Sequence, residues 1–237
     1  MKYAALMYHE LSTGELKGRF WVSLDLFKRQ LDYLDEHDFA IPTLRDIGNV
    51  TGKKVLITLD DGHGSNFAAA EELSRRGKKG VFYILKDKSL GDSEYLTEAQ
   101  IKEISAMGHE IGVHGKDHKF WTLKGDAQLR SEIAETKSWL EELIGRRIET
   151  CSAPGGKIDS RVVRLIKSSF PDLRYIRTSR ESYNKDVMKS RLLNCVAIRS
   201  GTTMKDFAGI VNVSELTHLR LLSMYYAKGM AKRIIGR

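Results

Sequence analysis

The chain has 237 residues, 41% of them hydrophobic and 30% charged, enough apolar material for a full core beneath a wetted surface. No run reaches the ~18 consecutive apolar residues of a membrane-spanning helix, and two cysteines, Cys151 and Cys195, do not make a disulfide framework. The net charge of +8 invites nucleic acid, but lysine and arginine are spread along the chain without a zinc finger or an RNP aromatic pattern, so no nucleic-acid partner is expected; a basic surface also suits acidic glycans, sugar nucleotides or an anionic membrane face.

Residues 1–10 lack a long apolar stretch and a small-residue cleavage site, so we expect no signal peptide and a reducing, cytoplasmic setting. Tyr3 to Tyr8 reads as a first strand, with His9 and Glu10 just past its end. Leu24, Phe27, Leu31 and Leu34 recur at helical spacing behind Ser23, a predicted N-cap, giving a helix over about 23–37. Phe39 to Ile41 reads as a short strand closed by Pro42, and Thr43 to Val50 as a short helical segment. Val55 to Leu59 is an apolar run of the kind found in buried parallel strands, and it ends abruptly in Asp60-Asp61-Gly62-His63-Gly64.

Asn66 to Arg76 is a predicted helix stopped by Gly77, Gly80 to Leu85 a strand, and Lys86 to Ser93 a polar loop. Thr97 and Gln100 form a capping box, with Leu96 and Ile101 as its hydrophobic staple, for a helix ending at Gly108. His109 to Val113 is a strand followed at once by His114-Gly115-Lys116-Asp117-His118. Asp126 to Ile144 is a long helix with Gly145 as its stop; Ile148 to Ala153 is a strand running into Pro154-Gly155-Gly156, and Asp159 caps a helix to about Ser169. Leu173 to Thr178 and Leu193 to Ile198 are further strands. Met204 to Val211 and a basic amphipathic helix over about 214–235 close the chain. That last helix is expected to pack on the domain, with peripheral membrane contact as the alternative.

Strands alternating with helices argue for a parallel sheet. About seven such units in one domain over 1–237 point to a distorted (β/α)7-type barrel, with an open doubly wound sheet as the alternative. In either fold the C-terminal strand ends share one face. The three unusual clusters, Asp60/Asp61, His114/His118 and Pro154-Gly155-Gly156, each follow a strand and would converge there.

Asp60 and Asp61, as neighbours at a strand end, can diverge to different tasks. His114 and His118, four apart, place both imidazoles on one side of a helical turn. Two imidazoles and one carboxylate, best Asp61, make a three-ligand metal site with a position left open. Asp60 then serves as a general base beside the ion, which lowers the pKa of its water to about 7. Amide or ester hydrolysis is the chemistry this set suits. His9 could point into the same mouth, and His63 could reach it; His37, His109 and His218 read as surface or packing residues. Among Trp21, Trp121 and Trp139, Trp121 is the best candidate for lining a substrate pocket and Trp139 for the core.

Thr58-Leu59-Asp60-Asp61-Gly62 resembles the first motif of the polysaccharide deacetylase family, the NodB-homology domain or carbohydrate esterase family 4. His114-Gly115-Lys116-Asp117-His118, led in by Gly108-His109-Glu110-Ile111-Gly112, is similar to the second motif, and Ala153-Pro154-Gly155-Gly156 to the third. The resemblance implies a distorted barrel, a divalent metal (usually zinc, with cobalt or nickel as alternatives) and removal of N-acetyl groups from an amino-sugar glycan. It implies Asp60 as base and Asp61, His114 and His118 as metal ligands. The Gly155 N–H would then be an oxyanion donor. On our own reading of the residues, Pro154, Gly156, His9 and Trp121 are the candidates for substrate contact.

Two departures stand out. Ser152 occupies the position where the third motif carries an arginine that orients the base, and no histidine is present near 192–198 to serve as general acid. His63 and His9 are the candidate substitutes. The other readings are a metal-binding carbohydrate-binding pseudoenzyme and a hydrolase of a small non-glycan amide.

Overall fold

The computed structural model describes residues 1–178, 180–217, 219, 220 and 223. The helix expected over 214–235, and with it the membrane-contact idea and His218, falls largely or wholly outside these residues. Among the described residues, no helix is long and apolar enough to cross a membrane.

The strands, in chain order, are β1 (Ala4–Tyr8), β2 (Leu11–Ser12), β3 (Val22–Ser23), β4 (Val55–Leu59), β5 (Val81–Ile84), β6 (Glu110–Val113), β7 (Thr150–Ser152), β8 (Tyr175–Arg177), β9 (Leu192–Leu193) and β10 (Val196–Ala197). The helices are α1 (Leu24–Glu36), α2 (Asn66–Arg75), α3 (Lys86–Gly91), α4 (Glu98–Ala106), α5 (Asp126–Ile144), α6 (Ser160–Ser169), α7 (Val187–Ser190) and α8 (Met204–Val211). β2 and β3 pair with each other; the rest form one sheet in the order β10-β1-β4-β5-β6-β7-β8-β9, with every ladder parallel.

β9 and β10 stand at opposite edges of that sheet, yet only Asn194 and Cys195 separate them in the chain. The sheet must therefore curl until its edges nearly meet, which makes a distorted (β/α) barrel and rules out the open doubly wound alternative. This curl also explains why the strand expected over Leu193 to Ile198 is two: the chain leaves β8 after Leu193 and joins β1 at Val196.

Local chemistry sets the helix ends. Ser23 accepts a hydrogen bond from Leu26 N at the start of α1, Asp159 accepts one from Val162 N at the start of α6, and the Thr97/Gln100 capping box is formed at α4. Gly145 ends α5 in the left-handed region at φ 64°. The strand expected at Phe39–Ile41 contributes only a bridge from Ala40 to Lys54. The loop expected over 86–93 contains α3.

Alternation along the strands separates two cores. Outward residues such as Leu6, Ile57, Phe82, Ile111 and Ile176 pack under the helices with Phe27, Leu73, Ile133 and Ile166. Inward residues, among them Ala5, Met7, Leu56, Val81, Tyr83 and Tyr175, fill the barrel. Counting on in twos, the inward positions reach His9 beyond β1, Asp60 beyond β4, His114 beyond β6, Ser152 at the end of β7 and Arg177 at the end of β8. The register supports this count, pairing Met7 with Thr58, Tyr83 with Gly112 and Ser152 with Arg177.

Candidate active site

The chain turns sharply after β4. Asp60 is buried at the mouth of the barrel, its N–H donating to Tyr8 O at 2.9 Å. Asp61 adopts φ +70° and Gly62 the same value. The divergence of the two carboxylates thus comes from a left-handed residue, which aspartate tolerates, rather than from strand pleating. The expectation of a helical turn at His114–His118 is also corrected. These residues form an irregular loop after β6, with Gly115 at φ +95° and His118 at φ +58°.

That loop brings the two imidazoles to one carboxylate oxygen. His114 Nε2 lies 2.9 Å and His118 Nε2 3.2 Å from Asp61 Oδ1. On its other side, His114 Nδ1 is 2.9 Å from the carbonyl of Ser152. A carbonyl only accepts, so Nδ1 carries the proton and the Nε2 lone pair faces Asp61. Asp61 Oδ1 is buried and has no hydrogen-bond partner. Lone pairs converging on a buried carboxylate oxygen are what a cation would satisfy, and the three ligand atoms lie within 4.8 Å of one another.

Asp60 faces the same place from the barrel side, its Oδ2 4.0 Å from His114 Nε2. The same Oδ2 accepts a hydrogen bond from Arg177 Nη2, while Oδ1 is buried with no partner. Arg177 was not singled out in the sequence. It is 1% exposed, its Nε donates to Ser152 Oγ at 3.0 Å, and its Nη1 rests against Met7 Sδ and Cys195 Sγ. Ser152 and Arg177 are direct register partners. An arginine thus stands beside Asp60 from the inward position one strand over from Ser152.

His9 lies at the mouth with its Nδ1 buried and unpartnered, and its ring is 4.6 Å from that of Phe20. Burial lowers its pKa to about 4, with nearby Asp61 opposing. His63 is not one of the cluster formed by Asp61, His114 and His118. Its Nδ1 is 2.8 Å from Ser65 Oγ, and its ring lies between Trp21 at 5.7 Å and Tyr95 at 5.9 Å. Burial lowers its pKa also.

Pro154, Gly155 and Gly156 form a tight turn after β7 in which both glycines have positive φ, 60° and 62°. Pro154 is buried and Gly155 exposed. Trp121 does not line a pocket. It is fully buried, and its Nε1 donates to Glu132 Oε1 at 3.1 Å. Its neighbour Phe120 is the aromatic beside the third loop, since a Cβ on Gly155 would fall 2.5 Å from Phe120 Cε1. Trp139 is partly buried on α5 and packs against the outer core. His37 stacks on Tyr33 at 4.0 Å, and His109 is buried with its Nε2 3.0 Å from Ala70 O.

The chain matches the family model for polysaccharide deacetylase over residues 47–169, just over half its length. It belongs to the polysaccharide deacetylase family. The Bacillus subtilis (strain 168) protein YxkH is 27% identical over 176 residues, 71% of this chain and 62% of that protein. A Listeria monocytogenes peptidoglycan-N-acetylglucosamine deacetylase, PgdA, is 25% identical over 118 residues, 49% of this chain and 24% of that protein. The chain thus spans less than two thirds of either relative. Among solved structures, the Streptococcus pyogenes deacetylase PplD in complex with acetate superposes with a TM-score of 0.80 at 18% identity, covering 89% of this chain and 98% of that one. This likeness establishes the shared fold.

Proposed function

We propose that the chain is a metal-dependent hydrolase that removes N-acetyl groups from an amino-sugar-containing glycan. The observation that carries this reading is the division of labour between the two adjacent aspartates. Asp61 joins His114 and His118 as a ligand set, while Asp60 keeps one oxygen unpartnered and the other tied to Arg177. A binding module would have no use for a second, independently oriented carboxylate there. The glycan is inferred from family membership and from the named activity of the Listeria relative.

Asp61, His114 and His118 would hold the divalent ion, zinc first and cobalt or nickel as alternatives. When bound, the ion supplies Lewis acidity toward the acyl oxygen and makes the attacking water more acidic. Asp60 Oδ1 accepts the proton of that water, and the Arg177 guanidinium fixes the carboxylate's orientation. Gly155 N–H is the donor assigned to the developing oxyanion. As the C–N bond breaks, the leaving nitrogen needs a proton. His63 is turned to Ser65, and burial holds both His63 and His9 toward the neutral form. Asp60 is therefore assigned to return the proton it took, and His9 to contact the substrate.

Elemental analysis of purified protein should find about one divalent ion per chain, lost in His114→Ala. Asp60→Asn should keep the ion but release acetate from N-acetylglucosamine oligomers about 10²–10⁴-fold more slowly. His9→Gln and His63→Gln should each cost far less. A histidine variant as slow as Asp60→Asn would move the proton-return role to that residue. Absence of acetate release by the metal-loaded wild type would set the deacetylase reading aside.

A further inference from the structure

His114 and His118 are held by different devices. His114 follows β6 directly and is tied by Nδ1 to the Ser152 carbonyl. His118 sits on the irregular loop, half exposed and at positive φ, with nothing comparable on its ring. The backbone leading to it is instead fastened from below by two buried charges. Glu132, on the inner side of α5, is 6% exposed, and Lys124 is 8% exposed. Glu132 Oε1 accepts from Lys116 N at 3.2 Å and from Trp121 Nε1 at 3.1 Å, and Glu132 Oε2 accepts from Lys124 Nζ. Lys124 Nζ also donates to Asp117 Oδ1 at 2.8 Å. Every residue between the two histidines is therefore engaged. Gly115 presses on the network, since a Cβ there would fall 2.8 Å from Glu132 Oε1 and 3.0 Å from Trp121 Nε1; Lys116 is held through its N–H and Asp117 through its carboxylate.

We infer that Glu132 and Lys124 are positioning residues for His118, and that they set the affinity and coordination of the ion without touching it. The inference rests on the reading of Asp61, His114 and His118 as a metal site. Its physical basis is that a buried carboxylate and ammonium are stable only while paired. The pair thus has one low-energy arrangement, and the loop is bonded to both members. Loosening Glu132 removes the acceptor of Lys116 N–H, and loosening Lys124 removes the buried partner of Asp117. What then remains on the loop is the Lys116 carbonyl with Asp87 N–H and the outer Lys119–Asp117 contact, which hold the positive φ at His118 less firmly. Outer groups that orient ligands are typically worth 10–100-fold in metal affinity.

The test is cobalt(II) titration of metal-free protein, followed by the visible absorption of the bound ion, for wild type, Glu132→Gln, Lys124→Met, Lys124→Arg and the references His114→Ala and His118→Ala. We expect Glu132→Gln and Lys124→Met to weaken binding about 10–100-fold and to shift the spectrum toward that of His118→Ala rather than His114→Ala. Lys124→Arg, which keeps the charge and the donors, should retain most of the affinity. Thermal unfolding of the metal-free variants separates folding from positioning, because a merely structural role lowers stability and leaves the cobalt spectrum unchanged. Should the buried variants fail to fold, Asp117→Asn removes only the partly exposed end of the network and should still weaken binding several-fold. Folded variants that bind cobalt with wild-type affinity and spectrum overturn the inference. A wild type that binds no cobalt overturns the metal site itself.

Discussion

At the scale of single residues, the decisive contact is Asp60 with Arg177. Both side chains are buried, so each is stable only with the other. Arg177→Met should lower stability by about 3–5 kcal/mol, because it leaves an unpaired carboxylate in the barrel. The double variant Asp60→Asn/Arg177→Met should cost less than the two single changes added together, with a coupling of about 1–3 kcal/mol in urea unfolding of the metal-free protein. Additivity within about 0.5 kcal/mol would mean the pair is not coupled. The clustering of Asp61, His114 and His118 was legible in the sequence because all three lie in short motifs at strand ends. Arg177 was not, because nothing adjacent marks it; a lone arginine closing an apolar strand reads as a surface charge. The signal that could have found it is the period of two, which puts Tyr175 and Arg177 on one face and that face inside the barrel. Trp121 failed for the complementary reason. Proximity to His118 in sequence says nothing about which of two adjacent aromatics points outward, and Phe120 is the one that does.

At the scale of elements, caps and stops were readable because they act within a turn. Ser23, Thr97, Gly145 and Asp159 each do locally what their chemistry predicts. Elements held by distant partners were not readable. β9 and β10 are two residues each and exist only because β8 and β1 offer edges to them. The second-motif strand contains an instructive glycine. Gly112 faces inward on β6, where a Cβ would fall 2.6 Å from Tyr83 Cδ1 and 2.8 Å from Thr150 Cγ2. Tyr83 and Thr150 are themselves hydrogen-bonded at 2.9 Å across that glycine. Gly112→Ala should therefore overpack the barrel and cost about 1–3 kcal/mol, read as a fall of several degrees in Tm. An unchanged Tm would show that the interior can yield at β6.

At the scale of the whole molecule, the barrel has a charged mouth and a charged floor. Glu110 opens β6 at the end opposite the site, and its Oε2 accepts from Leu44 N at 2.8 Å and Arg45 N at 3.3 Å. Burial raises its pKa from 4.5 to about 7, with Arg45 and these two N–H donors opposing. Between those values the folded state holds a proton that the unfolded chain has released, so this group makes stability fall as pH rises through the window. The loss amounts to about 3 kcal/mol. Glu110→Gln should flatten that part of the stability profile between pH 4.5 and 7 in denaturant titrations. A variant whose profile keeps the wild-type slope would assign the dependence to other groups. The seam between β9 and β10 has a consequence for how the mouth can breathe. Where a complete ring would be joined by hydrogen bonds, this one is joined by the covalent chain. Leu193 and Val196 can separate by no more than about 10 Å, so the wall is inextensible there. The ladder between β6 and β7, by contrast, carries a single register pair, Val113 with Cys151. At the mouth this short ladder is completed by a side chain, His114 Nδ1 donating to the Ser152 carbonyl at 2.9 Å, so the loop that bears both histidines is fastened directly to the strand that leads into the Gly155 turn.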